Sequence, residues 1–204
     1  MIRLIQSPPE THFPVTSWSG HWVCGLRIER SRAMLLRALE GLTVGASIVE
    51  LGCGAADVCG PLSGLWPYTG VDGSPDAIVT AKMRWPDGSF ARASIERARP
   101  FPAGALCLFE VLEHLNDPED LVKRWLPEVD ACVISHPLNE KPADDDRWSR
   151  GYHLWSYSEA DFDRWFEIGG HEIVEKVIFD LTWPGVGKCK TILGRSRRKE
   201  SRPE

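Results

Sequence analysis

The run Val49-Glu50-Leu51-Gly52-Cys53-Gly54-Ala55-Ala56 decides how the rest of the chain is read. It grows out of Ser47-Ile48-Val49-Glu50-Leu51, a short apolar segment that stops at glycines, the pattern of a strand entering a turn. Glycines directly after a first strand let the backbone approach a ligand where a side chain would collide. In open α/β sheets, ligands bind outside the carboxyl ends of the strands, where this turn falls. A glycine turn can equally be structural, so the reading depends on what surrounds it.

Working outward, further strands are predicted at Tyr68–Asp72, near Phe90–Ala93, at Leu106–Phe109 and at Ala131–Ser135, with Ile173–Phe179 and Lys190–Leu193 as the last two. Leu26, Ile28, Leu35, Leu36, Leu39 and Leu42 recur at near-helical spacing, and Gly41 stands where that helix would end. A second helix follows from about Asp76. Asp117 can cap a third, with Pro118 at its first position and Glu119 and Asp120 in its first turn. Ser158, with Asp161 three residues on, can cap a fourth that buries Phe162, Trp165 and Phe166 and stops at Gly169-Gly170.

Strands alternating with helices imply a Rossmann-like α/β sandwich of three layers. Its sheet would be mostly parallel and seven-stranded, with helices on both faces. No helix fits between the last two strands, so they are expected to form an antiparallel hairpin at one sheet edge. The 204 residues suit one domain over 26–194, preceded by an irregular arm at 1–25 and followed by a basic tail at 195–204.

Composition narrows the partners. A net charge of −5 argues against a broad grip on nucleic acid or an anionic membrane, although the basic run Arg195-Ser196-Arg197-Arg198-Lys199 leaves a local patch open. The six cysteines are scattered without a C-x-x-C pair, which suggests neither a disulfide framework nor a zinc site, and points to a reducing, cytoplasmic setting. No signal peptide or membrane-length apolar stretch is evident.

Two further signals accompany the glycine turn. Asp72 ends the second strand, 18 positions after Gly54, where a carboxylate can accept hydrogen bonds from the ribose hydroxyls of a nucleoside; it can also simply begin the turn through Gly73. Glu110-Val111-Leu112-Glu113-His114-Leu115 closes the fourth strand. Together, E-L-G-C-G, V-D-G-S-P and F-E-V-L-E-H-L-x-D-P resemble the class I S-adenosylmethionine-dependent methyltransferases, and more narrowly the group that contains the O-methyltransferases of ubiquinone biosynthesis. The likeness spans roughly residues 45–180, including the later segment His153-Leu154-Trp155-Ser156-Tyr157-Ser158. A dinucleotide oxidoreductase fits less well, since G-C-G-A-A-D lacks the third glycine of G-x-G-x-x-G.

The resemblance implies that S-adenosylmethionine is the cofactor. Glu50, Gly52 and Gly54 would shape the pocket for its methionine part, Asp72 would hold the ribose, and Ser94, Ile95 and Glu96 would lie near the adenine. Glu110 would join the cofactor-lining set. The chain departs from the family at Ser94, where an aspartate is common, and at Ala56, which replaces a glycine.

The acceptor side is less legible. If helical, the Glu110 segment would set Glu110, Glu113 and His114 on one face, at i, i+3 and i+4. Two carboxylates and an imidazole can hold magnesium or manganese, with a downstream histidine, His153 or else His136, completing the set. The same pattern resembles the metal site of RNA-end 2′-O-methyltransferases. His114, His136 and His153 are candidate bases by position, while His12, His21 and His171 read as surface residues. Trp18, His21 and Trp22, with Trp148, Tyr152 and Trp155, can wall an acceptor pocket. The expected function is methyl transfer to the O or N of a small molecule. The alternatives are metal-dependent methylation of RNA ends and a methyltransferase-like binding protein without catalysis.

Overall fold

Apolar runs such as Ile48-Val49-Glu50-Leu51 and Ala105-Leu106-Cys107-Leu108-Phe109 are buried along their whole length, which is what strands covered on both faces require. The computed structural model describes residues 1–3, 25–43, 45–138, 153–183 and 187–198. Its strands are β1 (Ile2–Arg3), β2 (Ile48–Leu51), β3 (Tyr68–Asp72), β4 (Ser89–Arg92), β5 (Ala103–Phe109), β6 (Val129–Leu138), β7 (Trp155–Ser156), β8 (His171–Trp183) and β9 (Gly187–Arg198). Its α-helices are α1 (Gly25–Leu39), α2 (Pro75–Arg84), α3 (Pro118–Trp125) and α4 (Glu159–Ile168).

Seven strands form the main sheet in the order β4-β3-β2-β5-β6-β9-β8. The first five in that order are parallel, whereas β9 runs antiparallel to both β6 and β8. The expected three-layer sandwich with an antiparallel edge hairpin is therefore the observed one. Side chains alternate between the two faces with the period of two that a pleated strand imposes. Val49, Leu106, Leu108 and Ile134 pack toward Trp125 of α3 and Phe162, Trp165 and Phe166 of α4. Ile48, Ala105, Cys107 and Val133 pack toward Met34, Leu35 and Leu39 of α1. Truncating a buried side chain such as Leu106 to alanine would cost about 2–5 kcal/mol.

The helix starts follow the capping chemistry of the sequence. Ser74 accepts from the Ala77 amide at the head of α2, and Asp117 accepts from Asp120 N at the head of α3. Ser158 and Asp161 form a reciprocal capping box on α4, and the Met1 ammonium adds a 2.6 Å contact to Asp161 Oδ2.

Three readings change. The run from Arg195 to Arg198, expected to begin a tail, is the end of β9, held by pairing with both Ala131–Cys132 and Glu172–Ile173; residues 199–204 lie outside the described set. Ile2–Arg3, expected within an irregular arm, pairs antiparallel with Trp155–Ser156, while residues 4–24 lie outside the described set. His171 is not a surface residue but 2% exposed: Nε2–H donates to Leu126 O at 2.9 Å, leaving Nδ1 to accept from Ser196 at 3.0 Å. The connections over 52–67 and 93–102 contain no α-helix, only the 3-10 turn Gly60–Leu62 in the first.

β8 carries an irregularity between Ile173 and Glu175. Glu175 is held by Arg37 of α1 and Arg195 of β9, and Lys176 by Glu159 and Asp163 of α4. Among the described residues, no helix is long and apolar enough to cross a membrane.

Candidate active site

The strand order reverses at β2, which has β3 on one side and β5 on the other. A crevice at such a switch point, outside the carboxyl ends of the strands, is where open α/β sheets bind ligands. The glycine loop lies there. Gly52 has φ +71°, and a β-carbon on it would come within 2.7 Å of Val111 Cγ2, so conformation and close packing both require glycine. Gly54, with φ +54°, donates its amide to Asp72 Oδ2 at 2.9 Å.

Asp72 performs the turn role at the carboxyl end of β3. Its Oδ1 accepts from Ser74 N at 2.8 Å, so the carboxylate ties the ends of β2 and β3 together at the crevice floor. Burial pushes its pKa up, while the amides of Ser74 and Gly54 draw it back.

Glu50 lies beneath the loop, fully buried. Tyr68 O–H donates to its Oε2 at 2.6 Å, and burial pushes its pKa up to about 7. Its partner Tyr68 was missed by sequence reading, since nothing in Y-T-G-V-D marks the ring as a donor to a residue two strand positions away. Ala56, at the replaced glycine, adopts φ +58°. Beyond β4, Ser94 is exposed, Ile95 packs against the core, and Glu96 accepts from the Asn116 amide at 2.7 Å.

On the other side of the crevice, β5 ends at Phe109, and Glu110 directly after it also takes a left-handed φ of +56°. Its amide donates to Ser135 O at 3.0 Å, and Ser135 O–H donates to Glu110 Oε1 at 2.8 Å. That conformation corrects the expected common helical face: only Leu112–His114 turn, as a 3-10 helix, and the Glu110 carboxylate is drawn toward β6. Glu113, His114 and His153 do come together, each offering one ligand atom within 4.8 Å of the others.

The segment after His153 is fastened to that turn. Leu154 N–H donates to Glu113 O at 2.6 Å, Trp155 Nε1–H to Leu115 O at 2.7 Å and Tyr157 O–H to Leu112 O at 2.8 Å. Trp155 is half-buried and packs against the core beside this turn. Trp18, His21, Trp22, Trp148 and Tyr152 lie outside the described residues.

His136 is withdrawn as a base. It is wholly buried on β6 against the Tyr157 and Phe162 rings, Nδ1 is 2.9 Å from Pro137 O, and burial holds its pKa down at about 4. A ring sealed in the core and neutral at physiological pH cannot reach an acceptor.

Placing β9 between β6 and β8, antiparallel to both, distinguishes this sheet from the all-parallel dinucleotide fold and makes it the sheet of a class I methyltransferase. The chain belongs to the methyltransferase-domain family of S-adenosylmethionine-dependent enzymes, which matches it over residues 26–176. Among curated proteins it is similar to trans-aconitate 2-methyltransferase of Klebsiella pneumoniae (strain 342), 33% identical over 113 residues, covering 52% of this chain and 44% of that protein. The same enzyme of Afipia carboxidovorans is 29% identical over 136 residues, covering 61% and 52%. The chain thus spans about half the length of the curated relatives it matches.

Solved structures share the fold at low identity. Magnesium protoporphyrin IX methyltransferase of Synechocystis PCC 6803, with bound SAH, aligns with TM-score 0.68 and 13% identity over 85% of this chain and 83% of that one. The YcgJ protein of Bacillus subtilis aligns with TM-score 0.67 and 11% identity over 85% and 100%.

Proposed function

We propose that this chain transfers the methyl group of S-adenosylmethionine to a small-molecule acceptor. The observation that carries the reading is the Gly54–Asp72 latch at the switch point, which presents a glycine loop and a buried carboxylate side by side in the crevice. Gly52 and Gly54 leave room for the methionine part. Asp72 keeps lone pairs for ribose hydroxyls, and Ser94 and Ile95 flank the adenine side. The relatives that bind SAH or carry methyltransferase names support the same cofactor.

The reaction asks for alignment more than for chemistry. An acceptor lone pair attacks the methyl carbon in line with the C–S bond; that bond breaks with its electrons going to sulfur, leaving neutral S-adenosylhomocysteine. A proton on the acceptor atom passes to a base or to water. His114 and His153, edge to face with ring centroids 4.8 Å apart, are the bases at the rim of the crevice. The net charge of −5 favours a small acceptor over an RNA end.

Calorimetric titration with S-adenosylmethionine and S-adenosylhomocysteine tests the reading. Micromolar binding supports it and opens an acceptor screen, beginning with small unsaturated polycarboxylates such as trans-aconitate, the substrate that names the curated relatives. Absence of binding at millimolar cofactor would overturn it and leave the fold as a binding scaffold.

A further inference from the structure

We infer that Arg32 and Trp85 are positioning residues for the cofactor: together they hold the loop after β2 in the shape that receives its methionine part. The identity of the ligand rests on the methyl-transfer reading; the clamp on the loop does not.

In a doubly wound sheet the glycine turn after the first strand opens into a helix, whose own backbone bonds fix the turn. Here residues 52–56 lead into no α-helix, only the 3-10 turn Gly60–Leu62. The loop's carbonyls must find partners elsewhere, because a buried backbone acceptor left bare costs free energy. Ala56 O is satisfied locally, by Gly60 N–H at 2.9 Å. Ala55, Asp57 and Val58 are served by side chains from the flanking helices. Trp85 Nε1–H, at the end of α2, donates to Ala55 O at 3.0 Å. Arg32, in the middle of α1, donates Nη2–H to Asp57 O at 2.6 Å and Nε–H to Val58 O at 3.1 Å.

Packing reinforces these bonds. The Trp85 ring lies over Gly60, where an added β-carbon would collide with its Cδ1. Arg84, beside Trp85, pairs with Asp57 Oδ1 at 2.7 Å. The three clamped carbonyls flank Ala56, whose φ of +58° is a conformation alanine keeps only when its surroundings impose it. Freeing either donor lets Ala56 relax, and the turn through Gly52 and Gly54 loses its fixed end. Arg32 and Trp85 thus act on the cofactor through the loop, without touching it.

Calorimetric titration with two ligands tests the assignment: S-adenosylhomocysteine, and 5′-methylthioadenosine, the same nucleoside thioether with a methyl group in place of the amino-acid chain. Trp85→Phe keeps a ring on Gly60 and deletes only the donor, so the variant should fold. Its affinity for S-adenosylhomocysteine should fall about fivefold, the loss of about one neutral hydrogen bond. Arg32→Ala should lose about tenfold or more, and Arg32→Lys, which reaches one carbonyl at a time, should recover part of it. 5′-Methylthioadenosine should bind all three variants as it binds the parent, since the latch between Gly54 and Asp72 is untouched. Arg37→Ala breaks a comparable tether of α1, to Glu175, and should leave both affinities unchanged.

Equal weakening of the two ligands would overturn the inference, as would unchanged S-adenosylhomocysteine affinity in Trp85→Phe and Arg32→Ala, or the same loss in Arg37→Ala. If the parent binds neither ligand, the methyl-transfer reading falls and amide exchange decides the clamp. The Ala56 and Gly60 amides, bonded to Cys53 O and Ala56 O, should then exchange faster in Trp85→Phe than in the parent, and unchanged protection at both would dismiss it.

Discussion

The two rims of the crevice are built in different ways. On the cofactor rim, the contacts that shape the site are close in sequence: Gly54 to Asp72 and Glu50 to Tyr68 each span 18 residues. On the acceptor rim, Trp155 to Leu115 spans 40 residues and Tyr157 to Leu112 spans 45. The first rim is a product of two adjacent strands and the turns that leave them. The second requires a segment far along the chain to return and dock. A parallel sheet makes the first kind of rim almost automatic; the second depends on a few hydrogen bonds.

The sharpest way to test the cofactor rim is through Glu50. Its folded pKa is raised to about 7, so its contribution to stability is full below its unfolded pKa near 4.5 and is lost as pH rises through 7. Glu50→Gln keeps an acceptor for Tyr68 and removes the ionisation. The variant should be more stable than the parent by about 3 kcal/mol above pH 8 and by far less near pH 4.5, as read by urea denaturation across pH. A pH-independent difference would show that the carboxyl is ionised at little cost.

Asp72→Ala strikes the same rim at its latch. It leaves the Gly54 and Ser74 amides without the carboxylate that accepts from them, and should cost roughly 1.5–3 kcal/mol in stability and weaken cofactor binding in parallel. Loss of affinity without loss of stability would mean that the latch is not structural.

On the acceptor rim, Tyr157→Phe removes one of the long-span bonds. About 1 kcal/mol should be lost, and amide exchange at Leu154 should quicken while that at Gly54 does not change. Equal acceleration at both amides would erase the distinction between the rims. The smallest effect is a gain: Ala56→Gly relieves a left-handed φ and should stabilise the chain by about 0.5–1 kcal/mol in thermal unfolding.

This contrast also explains what could be read from the sequence. Strand β3 was legible to the residue, and the caps at Asp117 and Ser158 were found because capping is a local rule. The turn through Gly52 and Gly54 and the strand end at Asp72 were legible for the same reason. Glu110 was placed on a helical face because its spacing to Glu113 and His114 suggested one; its left-handed backbone, which sends the carboxylate to Ser135, has no signature in E-V-L-E-H. His136 and His171 were misjudged because burial is decided by β9 and by the 3-10 turn at Leu126–Glu128, elements remote in sequence. The last hairpin was recognised, but its strands run several residues beyond the apolar stretches that revealed them, carrying charged residues such as Glu172, Asp180 and Arg195 that pattern reading assigns to loops.

The irregularity at Ile173–Glu175 bears on how copies of this chain behave in a crowded solution. β8 is the sheet's outer strand, and a 13-residue outer strand is a template on which another chain can polymerise. The break in register kinks that template, and the arginine-clamped Glu175 with the acid-clamped Lys176 place charge where an incoming strand would have to lie. At the opposite margin, β4 offers only four residues and ends on Arg92. The sheet thus keeps both of its open margins unsuited to fibril growth, and the hairpin that completes the fold carries its own protection against aggregation.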